Sequence, residues 1–494
     1  MSTAPAPPDT EDHTPDPRRW KALWVTLAAG FMTLLDVSIV SVALPSIQQG
    51  LGTNPAGVQW VVSGYALTFG LALVPAGRLG DAFGRRTLFL IALVAFVVFS
   101  AACGAAPTIE LLIVARLLQG FAAGTLAPQN SGLIQSMFRG AERGRAFGFF
   151  GATVGISTAA GPIVGGLLLA LFGTSSGWRW IFYVNVPIGV VAVVLAARLV
   201  PRVGTTGDRK PIDWTGALLL GGAVLALLLP LVQAESGGIT RLWWLFPVGV
   251  VLGVAFVLWE RFELRRRREP LLDLRLVTET SGYAPGALVG LVYFTGFSGI
   301  WIVLAQFFQT GLGYTPLQSG LSVTAFAVGS AVSAVVAGRL VERYGRRLTV
   351  IGLGLVAIGL IGTSVVLLLV PGHVAGFCII PTLLVGGIGG GFTISPNITM
   401  TLRNVPVRMA GSAGGALQTG QRVGAAVGTA LVAGVFYGVL AASGRTYPVA
   451  IAGALGVAVL TTLFALGVAI GDLRHELRGA ADPETGYPQT VSHD

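Results

Sequence analysis

The chain has 494 residues, of which 53% are hydrophobic and only 11% are charged. A soluble domain carries about 25% charged residues, so this composition excludes an ordinary soluble protein. The net charge of +10 would suit nucleic acid, but the basic residues are distributed between long apolar stretches, which argues against that partner.

Apolar stretches of about 20 residues recur from Lys21 to Asp472, and each is long enough to cross the ~30 Å hydrocarbon core of a bilayer. They predict an all-α integral membrane protein with fourteen spans, at roughly 22–45, 56–77, 87–106, 109–134, 146–172, 178–199, 212–233, 242–262, 283–309, 316–338, 348–370, 375–401, 411–440 and 447–470. The Pro-rich, acidic segment 1–21 is expected to be a disordered tail, and 473–494 a second tail.

The basic residues indicate how these spans are oriented. If the first tail is cytoplasmic, 27 of the 32 Lys and Arg residues fall in inner segments and three fall in outer loops. Such an excess is what positive-inside insertion predicts. We therefore expect a multi-pass protein of the cell membrane with both tails in the cytoplasm. The four arginines at 265–268 add an attraction for anionic lipid.

The sequence lacks the residues that several other kinds of function would require. The longest loop, 263–282, is too short to hold a catalytic domain. Neither lysine of the chain, Lys21 or Lys210, completes the phosphate-binding pattern G-x-x-x-x-G-K-[ST], which argues against an ATP-driven pump. The four histidines lie outside the predicted spans, so a histidine proton relay is not expected. Cys103 and Cys378 are interpreted as small buried hydrophobes rather than a disulfide, with pairing in space left open.

A charged decapeptide occurs twice. "GRLGDAFGRR" at 77–86, the first decapeptide, and "GRLVERYGRR" at 338–347, the second decapeptide, share six identities. Each follows the second span of a six-span half. This predicts a duplication into parallel halves, 22–200 and 276–472, with two extra spans in the linker 201–275.

Together with other motifs, the repeat resembles the major facilitator superfamily and, more narrowly, its fourteen-span drug:proton antiporter family. The resemblance covers nearly the whole chain. The matching stretches, besides the first decapeptide, are "LLDVSIVSVALPSIQQGLG" (34–52), "VQWVVSGYAL" (58–67), "ARLLQGFAAGTLAPQ" (115–129), "GATVGISTAAGPIVGG" (151–166) and "FFQTGLGYTPLQSGL" (307–321).

The resemblance implies a major facilitator fold of two six-helix bundles plus two central helices. It also implies a monomeric antiporter, not an enzyme, that exports amphipathic drugs or antibiotics by alternating access. The proton gradient would supply the energy, with no cofactor. An alternative on the same fold is proton-coupled uptake of a nutrient, or uptake or export of an endogenous metabolite. A membrane enzyme or receptor would need polar clusters or a large loop that the sequence does not contain.

Asp36 is the one carboxylate well inside a predicted span, ~12 Å from its outer end at ~1.5 Å per residue. An ionised Asp at that depth costs at least ~2.5–3.5 kcal/mol, so it should face a cavity or a partner. Arg116 in the fourth span lies ~10 Å from the same face, and the matching depths allow an ion pair. The resemblance implies that Asp36 carries the proton, and we expect Arg116 to hold it ionised. A structural Asp and an outward-reaching arginine are the alternatives.

Two further motifs are expected to control conformation. In the first decapeptide, Gly77 and Gly84 allow a tight turn, and Asp81 can pair with nearby arginines or with a helix N-terminus of the other half. A gate between the halves would involve the residues Gly77, Arg78, Asp81, Gly84, Arg85 and Glu342, although a simple orientation signal is an alternative. Gly161 and Pro162 predict a tightly packed kink in the fifth span. The resemblance implies that this kink favours antiport.

Substrate contacts are placed by analogy with the fold, on the spans that line its cavity. The polar and aromatic candidates are Gln129, Asn130, Tyr293, Trp301, Gln306 and Asn397, with packing as the alternative for the aromatic ones. Some multidrug members carry acids in the penultimate span. Here that span contains Arg422 and no acid, which favours a neutral, zwitterionic or acidic ligand over a dication. Arg422 serving an inter-helix pair is the alternative.

Overall fold

The computed structural model describes residues 16–173, 176–201, 213–234, 237–266, 270–444 and 446–481. Within this part of the chain, thirteen helices are long and apolar enough to cross a membrane, and one bent helix raises the number to fourteen. The fourteen are α1 Arg19–Leu51, α2 Pro55–Phe83, α3 Arg85–Ala105, α4 Ile109–Met137, α5 Gly140–Phe172, α6 Trp178–Leu199, α7 Trp214–Val232, α8 Leu245–Arg265, α9 Tyr283–Gln306, α10 Pro316–Tyr344, α11 Arg346–Leu369, α12 Ile380–Thr401, α13 Ala410–Ala442 and α14 Tyr447–Ala481. The predicted spans correspond to these helices in order.

Three of the helices are interrupted or extended. The α6 span is made of Trp178–Tyr183 and Asn185–Leu199, with Val184 between them. The α9 helix continues as one π-helical turn, Phe307–Gly311. A short helix, Ala375–Cys378, precedes α12.

Four of the helices, α2, α4, α7 and α10, begin where a polar side chain accepts a free backbone N–H group. Asn54 accepts the N–H of Gly57 at 2.8 Å and starts α2. Thr315 and Gln318 exchange hydrogen bonds with each other's backbone at the start of α10. Such caps matter because the first four N–H groups of a helix have no partner within it.

One glycine joins the helices in each decapeptide. Gly84 between α2 and α3 has φ +98°, and Gly345 between α10 and α11 has φ +50°. Glycine adopts these values without the strain that a side chain would add. The predicted turn at Gly84 is therefore present, whereas the turn predicted at Gly77 is wrong, because Gly77 lies inside α2.

The two halves repeat one packing pattern. In the first, α2 packs on α4 and α1 on α5. In the second, the equivalent helices pair as α10 on α12 and α9 on α13. The halves meet along α5–α10 and α2–α13, which are again equivalent pairs. This arrangement matches parallel repeats related by an axis along the membrane normal.

The extra helices α7 and α8 cover one of these two seams. Leu67 of α2, Val224 and Leu228 of α7, and Val423 of α13 lie in one apolar cluster. Leu271 joins Val74 of α2 and Phe256 of α8 in a second cluster. The pair α7–α8 therefore shields the α2–α13 seam from the surroundings.

The tails differ from their predicted boundaries. The first helix begins at Arg19, and α14 continues to Ala481, so 473–481 is helix rather than tail. Residues 1–15 and 482–494 lie outside the described residues, as does 202–212 of the linker. Cys103 and Cys378 are both free; Cys103 is buried as predicted, whereas Cys378 is only partly buried.

Candidate functional site

The buried ion pair predicted from matching depths is present. Nη1 of Arg116 in α4 lies 2.6 Å from Oδ2 of Asp36 in α1, and their side chains are 1% and 0% exposed. Arg116 also donates from Nε to the Val61 carbonyl oxygen of α2 at 3.0 Å. The pair therefore connects three helices of the first half.

Two amides that sequence reasoning missed complete the coordination of Asp36. Gln119 and Asn185 donate to its Oδ1 at 3.0 and 3.1 Å. Gln119 follows Arg116 by three residues on α4, which places both on one helix face. Asn185 lies at the break in α6. A lone amide in an apolar span was the sequence feature that could have identified it as a functional residue.

This environment suits an ionised carboxylate. Asp36 receives three N–H donors, and a carboxylate accepts hydrogen bonds but donates none. A protonated carboxyl group in the same place would present its O–H to donor groups.

Aromatic rings enclose the other side of the guanidinium group. Its central carbon lies 4.2 Å from the ring centroid of Tyr65 and 5.6 Å from that of Phe182. Tyr65 and Phe182 are almost fully buried. The rings exclude water from the ion pair, which strengthens the attraction between its charges.

The first decapeptide connects the two halves. Asp81 accepts the backbone N–H groups of Gly411 and Ser412, at the start of α13, at 3.0 and 2.9 Å. Arg85 holds Asp81 at 2.8 Å and donates to the Val407 carbonyl oxygen of the second half. These contacts define one end of the bundle, which we call the motif end.

Of the remaining residues predicted to form the gate, some contact other parts of the chain and one is exposed without a hydrogen bond. Inside α2, a Cβ added to Gly77 would lie 2.7 Å from the carbonyl carbon of Gly411, so the backbones touch. Arg78 is partly exposed and engaged in contacts of its own. Glu342 of the second decapeptide is exposed, and no hydrogen bond joins it to another described residue.

The second decapeptide binds within its own half instead. Nε of Arg346, the counterpart of Arg85, lies 2.7 Å from Oδ2 of Asp472 in α14. Arg346 also donates to the Gly282 carbonyl oxygen just before α9. Sequence reasoning missed this ion pair, because Asp472 was placed at the border of a tail.

The fifth helix is bent near the predicted kink. Its parts Gly140–Thr158 and Ile163–Phe172 meet at 41°, on either side of Gly161 and Pro162. Gly161 packs directly on Ser38 of α1, within the first half. The side chain of Pro162 lies outside the described residues.

The candidate substrate residues do not share one lining. Gln129 donates to the Ala76 carbonyl oxygen of α2 at 2.7 Å, and Asn397 donates to the Gly286 carbonyl oxygen of α9 at 2.9 Å, so both join neighbouring helices. Asn130 lies against Gly30 of α1 and is 3% exposed.

The candidate substrate residues on α9 lie in different surroundings. Tyr293 and Trp301 belong to an aromatic cluster with Phe297 and Phe326, whose neighbouring ring centroids are 4.9–5.6 Å apart. Trp301 is partly exposed. Gln306, near the end of α9 far from the motif end, accepts the Thr310 hydroxyl at 3.0 Å.

Arg422 stands on α13 at the seam between the halves. Its guanidinium carbon lies 4.2 Å from the ring centroid of Phe69 in α2. Phe69 in turn lies 6.1 Å, centroid to centroid, from Tyr65, which covers Arg116. An aromatic pair therefore separates Arg422 from the Asp36–Arg116 pair.

Two equivalent helical halves, joined at one end and holding a buried carboxylate in the membrane interior, define a secondary transporter rather than an enzyme. A family model described as Major Facilitator Superfamily matches residues 26–259 and 286–486. The chain belongs to the Major Facilitator Superfamily.

Curated relatives and a solved structure agree with this membership. The chain is 37% identical over 448 residues to a probable actinorhodin transporter of Streptomyces coelicolor, covering 89% of this chain and 75% of that protein. It is 36% identical over 471 residues to a puromycin resistance protein of Streptomyces alboniger, covering 91% of each. The proton:xylose symporter XylE shares the fold, with a TM-score of 0.63 at 15% identity, covering 90% of this chain and 94% of that one.

Proposed function

We propose that this protein exports amphipathic small molecules, of the antibiotic or drug class, in exchange for protons. Its similarity to a probable actinorhodin transporter and a puromycin resistance protein supports the substrate class. The observation that carries the proton coupling is the Asp36 carboxylate, fully buried in the membrane interior and held by Arg116. A buried carboxylate of this kind marks a proton or ion pathway by default.

The arrangement gives the coupling a physical basis. The ionised Asp36 is stable only while Arg116, Gln119 and Asn185 surround it, because an unpaired charge at this depth is costly. Protonation removes the attraction to Arg116 and releases three helices from one another. The proton therefore selects between two packings of the first half.

We assign the motif end to the cytoplasm, in line with the distribution of basic residues. Hydrogen bonds between the halves that involve Asp81, Arg85, Gln135, Arg143 and Gln418 lie in the half of the bundle next to the motif end. The structure then corresponds to a state closed to the cytoplasm with Asp36 ionised. In the proposed cycle, a proton enters from outside, the Asp36–Arg116 pair separates, the motif end opens, and a substrate replaces the proton.

In this proposal the protein lies in the cell membrane, and both ends of the chain are in the cytoplasm. One copy of the chain contains both halves and the complete Asp36 network, so the protein acts as a monomer. The proton gradient supplies the energy without a cofactor.

The test is ligand-driven proton movement in lipid vesicles that contain the purified protein. The vesicles carry an acidic interior reported by a quenched acridine dye, and puromycin is added outside. Antiport predicts rapid dequenching that saturates with puromycin and is missing in protein-free vesicles. Movement of protons in the same direction as the ligand would indicate symport and contradict export by exchange.

A further inference from the structure

Arg422 lies in the interior of the membrane-spanning region. It follows Ala410, the first residue of α13, by twelve residues, which places it about 18 Å from the motif end. On the same face of α13, Gly415 packs on Leu73 of α2, and Gln418 donates to the Ala127 carbonyl oxygen of α4 at 3.3 Å. Arg422 therefore points toward the first half rather than into lipid.

The lipid side of this seam is covered by α7. Val423 and Ala426, next to Arg422 on the adjacent face of α13, pack in the cluster formed with Val224 and Leu228. Arg422 is nevertheless partly exposed. With α7 on the outer side, the contact with Phe69 of α2 directs the side chain into the seam between the halves.

The charge of Arg422 has no counter-charge in the described part of the chain. No salt bridge or hydrogen bond joins its guanidinium group to a described residue. The group rests on the ring of Phe69, and Tyr65 is its other electrostatic neighbour. Asp36, the carboxylate inside the first half, is already occupied by Arg116, Gln119 and Asn185.

The ring alone does not balance the charge. A cation over an aromatic face gains less free energy than it costs to place an arginine in the membrane interior. Reaching outward to water would relieve that cost, but the guanidinium instead rests on Phe69. An anionic group that entered the seam between the halves could bind this guanidinium, because no other described group neutralises it.

We propose that Arg422 is the anion-binding point of the substrate site, and that the transported molecules include amphipathic organic anions carrying a carboxylate. The proposal rests on the proposed export function and specifies its substrate class. Guanidinium binds such oxygens through two parallel N–H groups, which gives both attraction and orientation. The aromatic cluster of Phe297, Trp301 and Phe326, in the same half as Arg422, offers an apolar surface for a flat carbon skeleton.

The test compares matched pairs of probes that differ in charge alone. Equilibrium binding of 2-naphthoate, anthracene-2-carboxylate and pyrenebutyrate is measured on the purified full chain in lipid nanodiscs, beside the corresponding amides. Wild-type protein is expected to bind each carboxylate at least about tenfold more tightly than its amide, as a charge-assisted hydrogen bond would give. Arg422→Gln should reduce that ratio to less than about twofold, and Arg422→Lys should keep part of it.

A control variant separates this site from the general positive charge. Arg241, exposed in the loop between α7 and α8, is changed to Gln and should leave the ratio unchanged. Equal affinity within all pairs, no measurable binding of any carboxylate, or an undiminished ratio in Arg422→Gln would overturn the proposal.

The same protein in vesicles distinguishes this inference from the function on which it rests. A carboxylate preference that depends on Arg422, without ligand-driven proton movement, would support the anion site and contradict proton-coupled export. Proton movement driven by puromycin, with no preference for carboxylates, would support export and overturn the anion site.

Discussion

The carboxylate of Asp81, at the end of α2, accepts the backbone N–H of Ser412, in the first turn of α13, at 2.9 Å. A negative group at a helix N-terminus is favoured by the unpaired N–H groups and the helix dipole there. This contact spans the two halves, so it stabilises the state in which the motif end is closed. Glu342, the counterpart in the second decapeptide, is exposed and lacks such a contact among the described residues.

The two decapeptides should therefore differ when their acids are neutralised. Asp81→Asn is expected to lower the transport rate about tenfold, because it weakens charge-assisted hydrogen bonds worth about 1.5–3 kcal/mol across the halves. Glu342→Gln is expected to change the rate less than about twofold. Initial rates of puromycin transport in vesicles measure both, and equal losses would contradict the asymmetry.

The conformational origin of that loss can be observed directly. Spin labels on cysteines introduced at the exposed Thr87 and Arg343, in opposite halves at the motif end, report their separation after Cys103 and Cys378 are replaced. Asp81→Asn should increase the population with the longer distance. An unchanged distance distribution with reduced transport would show that Asp81 acts in another way.

Glycine contacts along the seams should be equally important for closure. A Cβ on Gly77 would lie 2.7 Å from the Gly411 carbonyl carbon, and one on Gly338 would lie 2.7 Å from the Cα of Gly148. Because backbone atoms cannot move aside, Gly77→Ala and Gly338→Ala should each open the motif end and reduce transport several-fold. The same spin-label distances measure the opening.

Gly166 provides the matched control for these substitutions. It also lies in a membrane-spanning helix, but a Cβ there would meet nothing within 4 Å. Gly166→Ala should leave the distances and the transport rate unchanged. A similar loss in Gly166→Ala would mean that helix flexibility, rather than contact between the halves, explains the effect.

The Asp36–Arg116 pair predicts a specific pattern of stability. Arg116→Gln leaves a buried carboxylate without its counter-charge, at a cost of about 3–5 kcal/mol. We expect the midpoint of thermal unfolding to fall by about 5 °C or more. The double variant Asp36→Asn with Arg116→Gln should recover at least half of that fall, because no charge remains unpaired.

Intrinsic tryptophan fluorescence of the purified variants follows this unfolding. Arg179→Gln is not a suitable control because Arg179 holds the Gly104 and Ala106 carbonyl oxygens. Arg241→Gln, at an exposed position, is the appropriate one. Additive losses in the double variant would show that the two residues do not stabilise each other.

The sequence predicted the fold at the level of spans and halves. Apolar length revealed the helices, and the decapeptide repeat revealed the duplication. The depth of a residue in the membrane could also be predicted from its position in a span, because a helix rises by a fixed distance per residue. For this reason the Asp36–Arg116 pair was predicted.

The direction in which each side chain points could not be predicted from the sequence. The helices are apolar on nearly all sides, so no polar stripe distinguishes an inward face from a lipid-facing one. Gln129 and Asn397 were thus expected to face substrate, whereas they bond to α2 and α9. The amides of Gln119 and Asn185 on Asp36 were missed for the same reason.

The central claim is that Asp36 carries the proton exchanged for substrate. The direct measurement compares wild type, Asp36→Asn and Glu110→Gln, a carboxylate at the exposed start of α4, in the same vesicles. Two rates are recorded: puromycin accumulation driven by a pH gradient, and exchange of labelled for unlabelled puromycin without a gradient. The account predicts that Asp36→Asn loses gradient-driven accumulation but retains exchange, while Glu110→Gln retains both. Gradient-driven accumulation at the wild-type rate in Asp36→Asn would contradict it.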